Sequence, residues 1–195
     1  MHSHQVKRKR PTLETAHSFY EEGFSYTGHE HRLSGAERKA EIEAIAEDLR
    51  TIVKRQFPRT GILEYAVLKA HLIVEHALGQ YIRCFALTSV ELASLRFTFA
   101  QKLEVAHLMG FGVNSPVLLP TVELLNKIRN QVGHKFEMDR SALDEMLRIN
   151  SEDYKCFNVT SDRDRIRRLR YLCNFLCGMV SGLIIGTYAS VTRET

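Results

Sequence analysis

The chain has 195 residues, 44% of them apolar, with 27 basic against 23 acidic side chains and a net charge of +4. That supports one well-formed core rather than two, and it permits an anionic partner without demanding one. Eleven Gly and four Pro are too few for a low-complexity or turn-rich all-β protein.

The first 33 residues read as a flexible basic, His-rich arm. Lys7, Arg8, Lys9 and Arg10 are followed by no apolar run, so this is not a secretory signal, and a cytoplasmic location is expected. His2-x-His4 and His29-x-His31 lack a carboxylate or cysteine at helical ligand spacing, and no metal or other cofactor is expected.

Ser34 with Glu37 forms a capping box, and no breaker intervenes until Pro58, so residues 34–58 are expected to hold an amphipathic accessory helix. Its apolar positions (Ile42, Ile45, Ala46, Leu49, Ile52 and Val53) recur at intervals of three and four. A second helix is expected from Thr60 to Phe85, with Leu68, Leu72, Glu75, Gly79 and Ile82 on one face. A third runs from Leu95 to Met109 and stops at Gly110 and Gly112. Pro120 belongs in the first turn of a fourth helix, which reaches about Phe136. A short fifth lies near Ser141 to Ile149. Ser161 with Asp164 caps a last helix that ends near Ser190. No segment alternates as a strand does, so the fold class is all-α: an up-and-down helical bundle of five to six helices, with residues 59–192 as its body.

The last helix carries 21 uncharged residues from Tyr171 to Val191 behind a basic flank, the length and polarity of a membrane anchor. Asn174, Ser181, Thr187, Ser190 and three glycines argue instead for a buried closing helix. Gly178, Gly182 and Gly186, spaced by four, offer a smooth stripe for close approach by another helix. Four cysteines (Cys84, Cys156, Cys173 and Cys177) form no Cys-x-x-Cys pair, which excludes a zinc ribbon and a disulfide-stapled mini-domain.

There is no Walker loop, no Gly-x-Gly-x-x-Gly, no Gly-x-Ser-x-Gly and no His-Glu-x-x-His. The chemistry is concentrated on the fourth helix. Val122, Leu125, Arg129, Val132 and Phe136 share a face, so an arginine interrupts the apolar stripe, and Asn126, Asn130 and His134 run beside it. Glu75 interrupts the second helix in the same way. Each charge is costly to bury alone, so a Glu75–Arg129 pair is expected. Taken on their own, these residues are best accounted for by an ordinary core ion pair and a surface histidine.

The run Arg129-Asn130-Gln131-Val132-Gly133-His134, preceded by Leu124–Ile128 and by the Phe99–Glu104 helix with its Met109-Gly110 stop, resembles the HEPN superfamily (higher eukaryotes and prokaryotes nucleotide-binding), near its mannitol operon repressor-like members. The resemblance spans about residues 61–190. It implies a bundle that dimerises to bring two motif helices together, and a metal-independent endoribonuclease of bacterial toxin–antitoxin or defence type. Arg129 and His134 would then be catalytic, Asn130 supporting and Glu75 helping from the second helix. Gly133 departs from the bulkier residue found before the histidine in some toxin members. RNA would be the substrate, because the ribose 2′-OH serves as nucleophile. Arg163, Arg165, Arg167, Arg168, Lys102 and Lys135 would add phosphate contacts. A homodimer, with an antitoxin or regulatory protein as further partner and no membrane, completes that reading. The alternative is a non-catalytic regulator or binding module that uses the same bundle to contact protein or nucleic acid.

Overall fold

The computed structural model describes residues 35–85, 96–135, 138–150 and 158–191, excepting the side chains at 134, 135, 190 and 191. The basic arm, the Ser34 cap and Phe136 lie outside the described residues. By internal contacts the chain divides into two units, Met1–Arg32 and Leu33–Thr195, and everything below concerns the second.

The fold is all-α, as expected. Six helices and no strand occur among the described residues: α1 (Gly35–Gln56), α2 (Leu63–Phe85), α3 (Phe99–Leu108), α4 (Leu118–Lys135), α5 (Arg140–Ile149) and α6 (Asp162–Val191). Local chemistry sets several of their ends. Thr98 caps α3 by a reciprocal box with Gln101, so the helix begins at Phe99, four residues later than the expected Leu95. Gly110 and Gly112 take φ of +98° and +80°, the left-handed conformation that stops a helix and that side chains resist. Asp139 caps α5 through the Ala142 amide, and Ser161 accepts from the Asp164 amide at the start of α6. Thr60 holds the Ile62 amide in a turn, which delays α2 to Leu63.

One core joins all six helices. α2 is central and packs against α1, α3, α4 and α6, while α1 and α6 pack closely along each other. α1 and α6 are antiparallel: Ser181 Oγ donates to the Ala46 carbonyl, and the Tyr188 hydroxyl to the Gly35 carbonyl. The α1 positions Ile42, Ile45, Ala46, Leu49, Ile52 and Val53 are buried in the same cluster as α2 and α6, so α1 is part of the core and more than an accessory.

The inward face of α2 differs from the expected one. Leu72 is 54% exposed, whereas His71 at the neighbouring position is buried with Val67, Ala70, Val74, Ala77 and Leu78. Because Leu68 and Leu72 add a second apolar stripe on the side that carries Glu64, Lys69 and Glu75, more than one stripe of α2 satisfies helical periodicity. Small side chains at Ala66, Ala70 and Ala77, each at most 1% exposed, mark where neighbouring helices come closest. In α4 the stripe of Leu118, Val122, Leu125 and Ile128 is fully buried, and Arg129 lies at its edge, partly buried.

α6 is half inside the core. Leu169, Leu172, Leu176, Val180 and Ile184 face inward, and Cys173 and Cys177 with them. Burial pushes the Cys177 thiol up to about 12 and Cys173 well above its ordinary range, so both stay protonated and unreactive. The glycine stripe points the other way. Gly178, Gly182 and Gly186 have no described atom within 4 Å of where a Cβ would stand. Among the described residues no helix makes the close contact expected at that stripe, and inward packing is carried by the large aliphatic residues instead.

Candidate functional site

Where α2, α3 and α4 meet, polar side chains gather at the margin of the core. His71 and Glu75 are one turn apart on α2, Phe99 and Lys102 belong to the first turn of α3, and Asn126, Arg129 and Asn130 follow helical spacing on α4. The Thr98 capping box fixes where α3 begins, and thereby where Lys102 points.

Glu75 does not meet Arg129. Its Oε1 accepts from Lys102 Nζ at 2.7 Å, with the two side chains 27% and 19% exposed. The expected pairing is replaced: Lys102 reaches Glu75 from α3 and takes the role that spacing alone gives to the arginine. Lys102 is thereby committed to a carboxylate, which weakens its expected role at phosphate. Arg129 Nη1 donates instead to Asn130 Oδ1 at 3.1 Å. Among the described residues no carboxylate lies within ion-pair reach of Arg129.

His71 is the residue of this cluster that the sequence reading missed. Only 4% exposed, it stacks on Phe99 with ring centroids 4.2 Å apart, and its Nε2 is 3.1 Å from Asn126 Oδ1. With the proton on Nε2, the ring donates to Asn126 and ties α2 to α4. Burial pushes the imidazole below its ordinary range, with Arg129 and Lys102 acting in the same direction and the Asn126 bond and Glu75 charge opposing. A polar residue inside an otherwise apolar stretch, one turn before Glu75, was the available signal.

Gly133 follows closely. A Cβ there would stand 3.8 Å from Arg129 Nη1, ordinary contact, so the glycine leaves this flank of the guanidinium open. His134 and Lys135 are helical in α4, and their side chains lie outside the described residues.

The arginines at the start of α6 are not brought to this site. Arg165, only 14% exposed, is held by both oxygens of Asp144 at 2.7 Å and by Asp162 at 2.9 Å, clasping α5 to α6. Arg167 and Arg168 pair with Asp164. Arg163 is exposed. Three aspartates therefore largely neutralise the expected phosphate-binding cluster, and Arg165 is structural.

Chemically, the cluster offers a guanidinium fork and amides on one helix edge, over a buried neutral imidazole and a satisfied ion pair. A guanidinium fork of this kind has the geometry to meet two oxygens of a phosphate or a carboxylate. No protein-family model, curated protein or solved structure matches this chain.

Proposed function

We propose that the chain is a HEPN-type protein that takes an RNA phosphate at the Arg129–Asn130 edge of α4 and cleaves the strand there. The observation that carries this reading is the lone cation: Arg129 is partly buried and has no carboxylate partner among the described residues, since Glu75 is occupied by Lys102. A partly desolvated guanidinium of this kind is offset by a bound anion, and Asn130 lies beside it to share the contact.

The chemistry follows from the motif. The ribose 2′-OH attacks the adjacent phosphorus, His134 takes its proton, and the P–O5′ bond breaks. Arg129 stabilises the charge that gathers on the phosphoryl oxygens, and an acid protonates the departing 5′-oxygen. One His134 serves as base or acid, so a second copy of the chain supplies the other role. The products are a 2′,3′-cyclic phosphate and a 5′-hydroxyl. Homodimerisation and a cytoplasmic location belong to this same reading.

A non-catalytic regulator is the second reading, and His71 favours it. The described histidine of the cluster is withdrawn from solvent beneath Phe99 and cannot reach a substrate. If His134 is likewise inert, the α4 edge only binds.

The test is a broad RNA pool incubated with the protein in excess EDTA, followed by analysis of the product ends. The expected result is cleavage with 2′,3′-cyclic phosphate ends. 2′-Deoxy substitution at the scissile nucleotide should block it, and His134→Ala should slow it by about 10²–10⁴. RNA bound but left intact by the wild type gives the regulator reading its place.

A further inference from the structure

His71 lies beneath the α4 edge, and its surroundings tie it to whatever Arg129 holds. Its Nε2 is 3.1 Å from Asn126 Oδ1, and Asn126 stands three residues before Arg129 on the same edge of α4. Phe99 covers the ring from α3, with centroids 4.2 Å apart. The charged groups that act on the imidazole are Glu75 from α2, Lys102 from α3 and Arg129 from α4. Glu75 and Lys102 are bonded to each other at 2.7 Å, so their fields largely cancel at the ring. Arg129 has no such partner among the described residues. Its charge is the one left to oppose a proton on His71.

We infer that phosphate binding at Arg129 is coupled to proton uptake by His71, so that the α4 edge holds RNA more tightly as the pH falls below neutral. This coupling rests on the phosphate reading of the same edge and supplies its regulation.

A phosphate seated on the guanidinium offsets the charge that keeps the ring neutral. The proton comes from water to Nδ1, because Nε2 already carries the hydrogen donated to Asn126. Nδ1 is open to it: the sealed polar atoms without a partner among the described residues are Gln80 Oε1, Gln131 Oε1 and Asn150 Oδ1. Protonation leaves Nε2 a donor, so the bond between α2 and α4 survives. An anion that favours the proton is itself favoured by the proton to the same extent. In the free protein, burial and the Arg129 charge hold the imidazole below its ordinary range. With the anion bound, that value rises. Affinity is therefore flat at high pH, climbs as the pH falls through the bound-state value, and levels off below the free-state value.

The test uses a 2′-O-methyl oligouridylate, which 2′-OH attack cannot cleave and which carries no group that titrates near neutral pH. Binding is measured at fixed ionic strength from about pH 7.5 to about pH 5.5. Over that span the wild type is expected to gain at least about threefold more affinity than His71→Gln, a comparison that cancels every other histidine. A second readout needs no change at His71. The ring-proton NMR signal of His71, identified by its contacts with Phe99, should titrate at higher pH when the oligonucleotide is bound. In Arg129→Gln without RNA it should already titrate higher than in the wild type. A signal that titrates at the same pH free and bound overturns the proposal, as do parallel affinity profiles for wild type and His71→Gln. If Arg129→Gln still weakens binding in that case, the phosphate site stands without the coupling. Binding that Arg129→Gln leaves unchanged removes the phosphate site, and the coupling falls with it.

Discussion

Glu75 and Lys102 form the ion pair that sets the character of the α4 edge: with Oε1 and Nζ 2.7 Å apart, the carboxylate is used up before Arg129 can reach it. Both side chains are mostly but not fully withdrawn from water, so the pair is worth less than a fully buried one. Glu75→Gln and Lys102→Met, singly and together, are expected to give a coupling energy of about 1 kcal/mol in chemical denaturation. The same cycle between Glu75 and Arg129 should give less than about half of that. Equal couplings would mean that the carboxylate is shared.

His71 makes stability depend on pH. Its folded pKa is lowered, so the unfolded chain takes up the proton first. Its contribution is therefore complete above the ordinary histidine value near about 6.5 and is lost as the pH falls below it. His71→Gln removes this titration while keeping a donor for Asn126. Relative to wild type, the variant should be less stable at pH 7.5, and the difference should shrink toward pH 5. A wild-type-minus-variant difference that stays flat across that range would mean that His71 is not held neutral.

The Thr98–Gln101 box sets the start of α3 and so the place of Lys102 and Phe99. Gln101 Oε1 accepts from the Thr98 amide at 2.9 Å, and Thr98 Oγ1 from the Gln101 amide at 3.3 Å. Thr98→Ala should cost about 1 kcal/mol, measured as a shifted denaturation midpoint at constant slope. An unmoved midpoint would show that packing of Phe99 alone fixes the helix start.

Gly133 carries a helix penalty that nothing in its surroundings requires sterically. Since among the described atoms an added Cβ meets only Arg129 Nη1, at 3.8 Å, Gly133→Ala should stabilise by up to about 0.5–1 kcal/mol. A loss of stability would indicate crowding at this flank.

Much of this fold is legible in the sequence because its punctuation is strong. Gly110, Gly112 and Ser161 act at the places their chemistry predicts, and α1 buries the six positions its periodicity selects. The facing of α2 is not legible, since Leu68 and Leu72 form a decoy apolar stripe on its outer side, and the alanines that admit neighbouring helices decide the inward one. The glycines of α6 are ambiguous for a related reason: small residues permit a close approach without fixing which helix makes it. At the site, Arg129 and Asn130 could be found from their place on α4, but the Glu75–Lys102 pair depends on the angle at which α3 enters, and His71 was hidden within an apolar run.

The lone guanidinium of Arg129 is the centre of the proposed function, and the salt dependence of RNA binding by Arg129→Gln tests it most directly. If Arg129 holds a phosphate, the variant should bind single-stranded RNA at least about tenfold more weakly, and the slope of log affinity against log salt should fall in magnitude by about 0.7. An affinity and slope equal to those of the wild type, in a variant that keeps its fold, would contradict the assignment of this edge of α4 to phosphate.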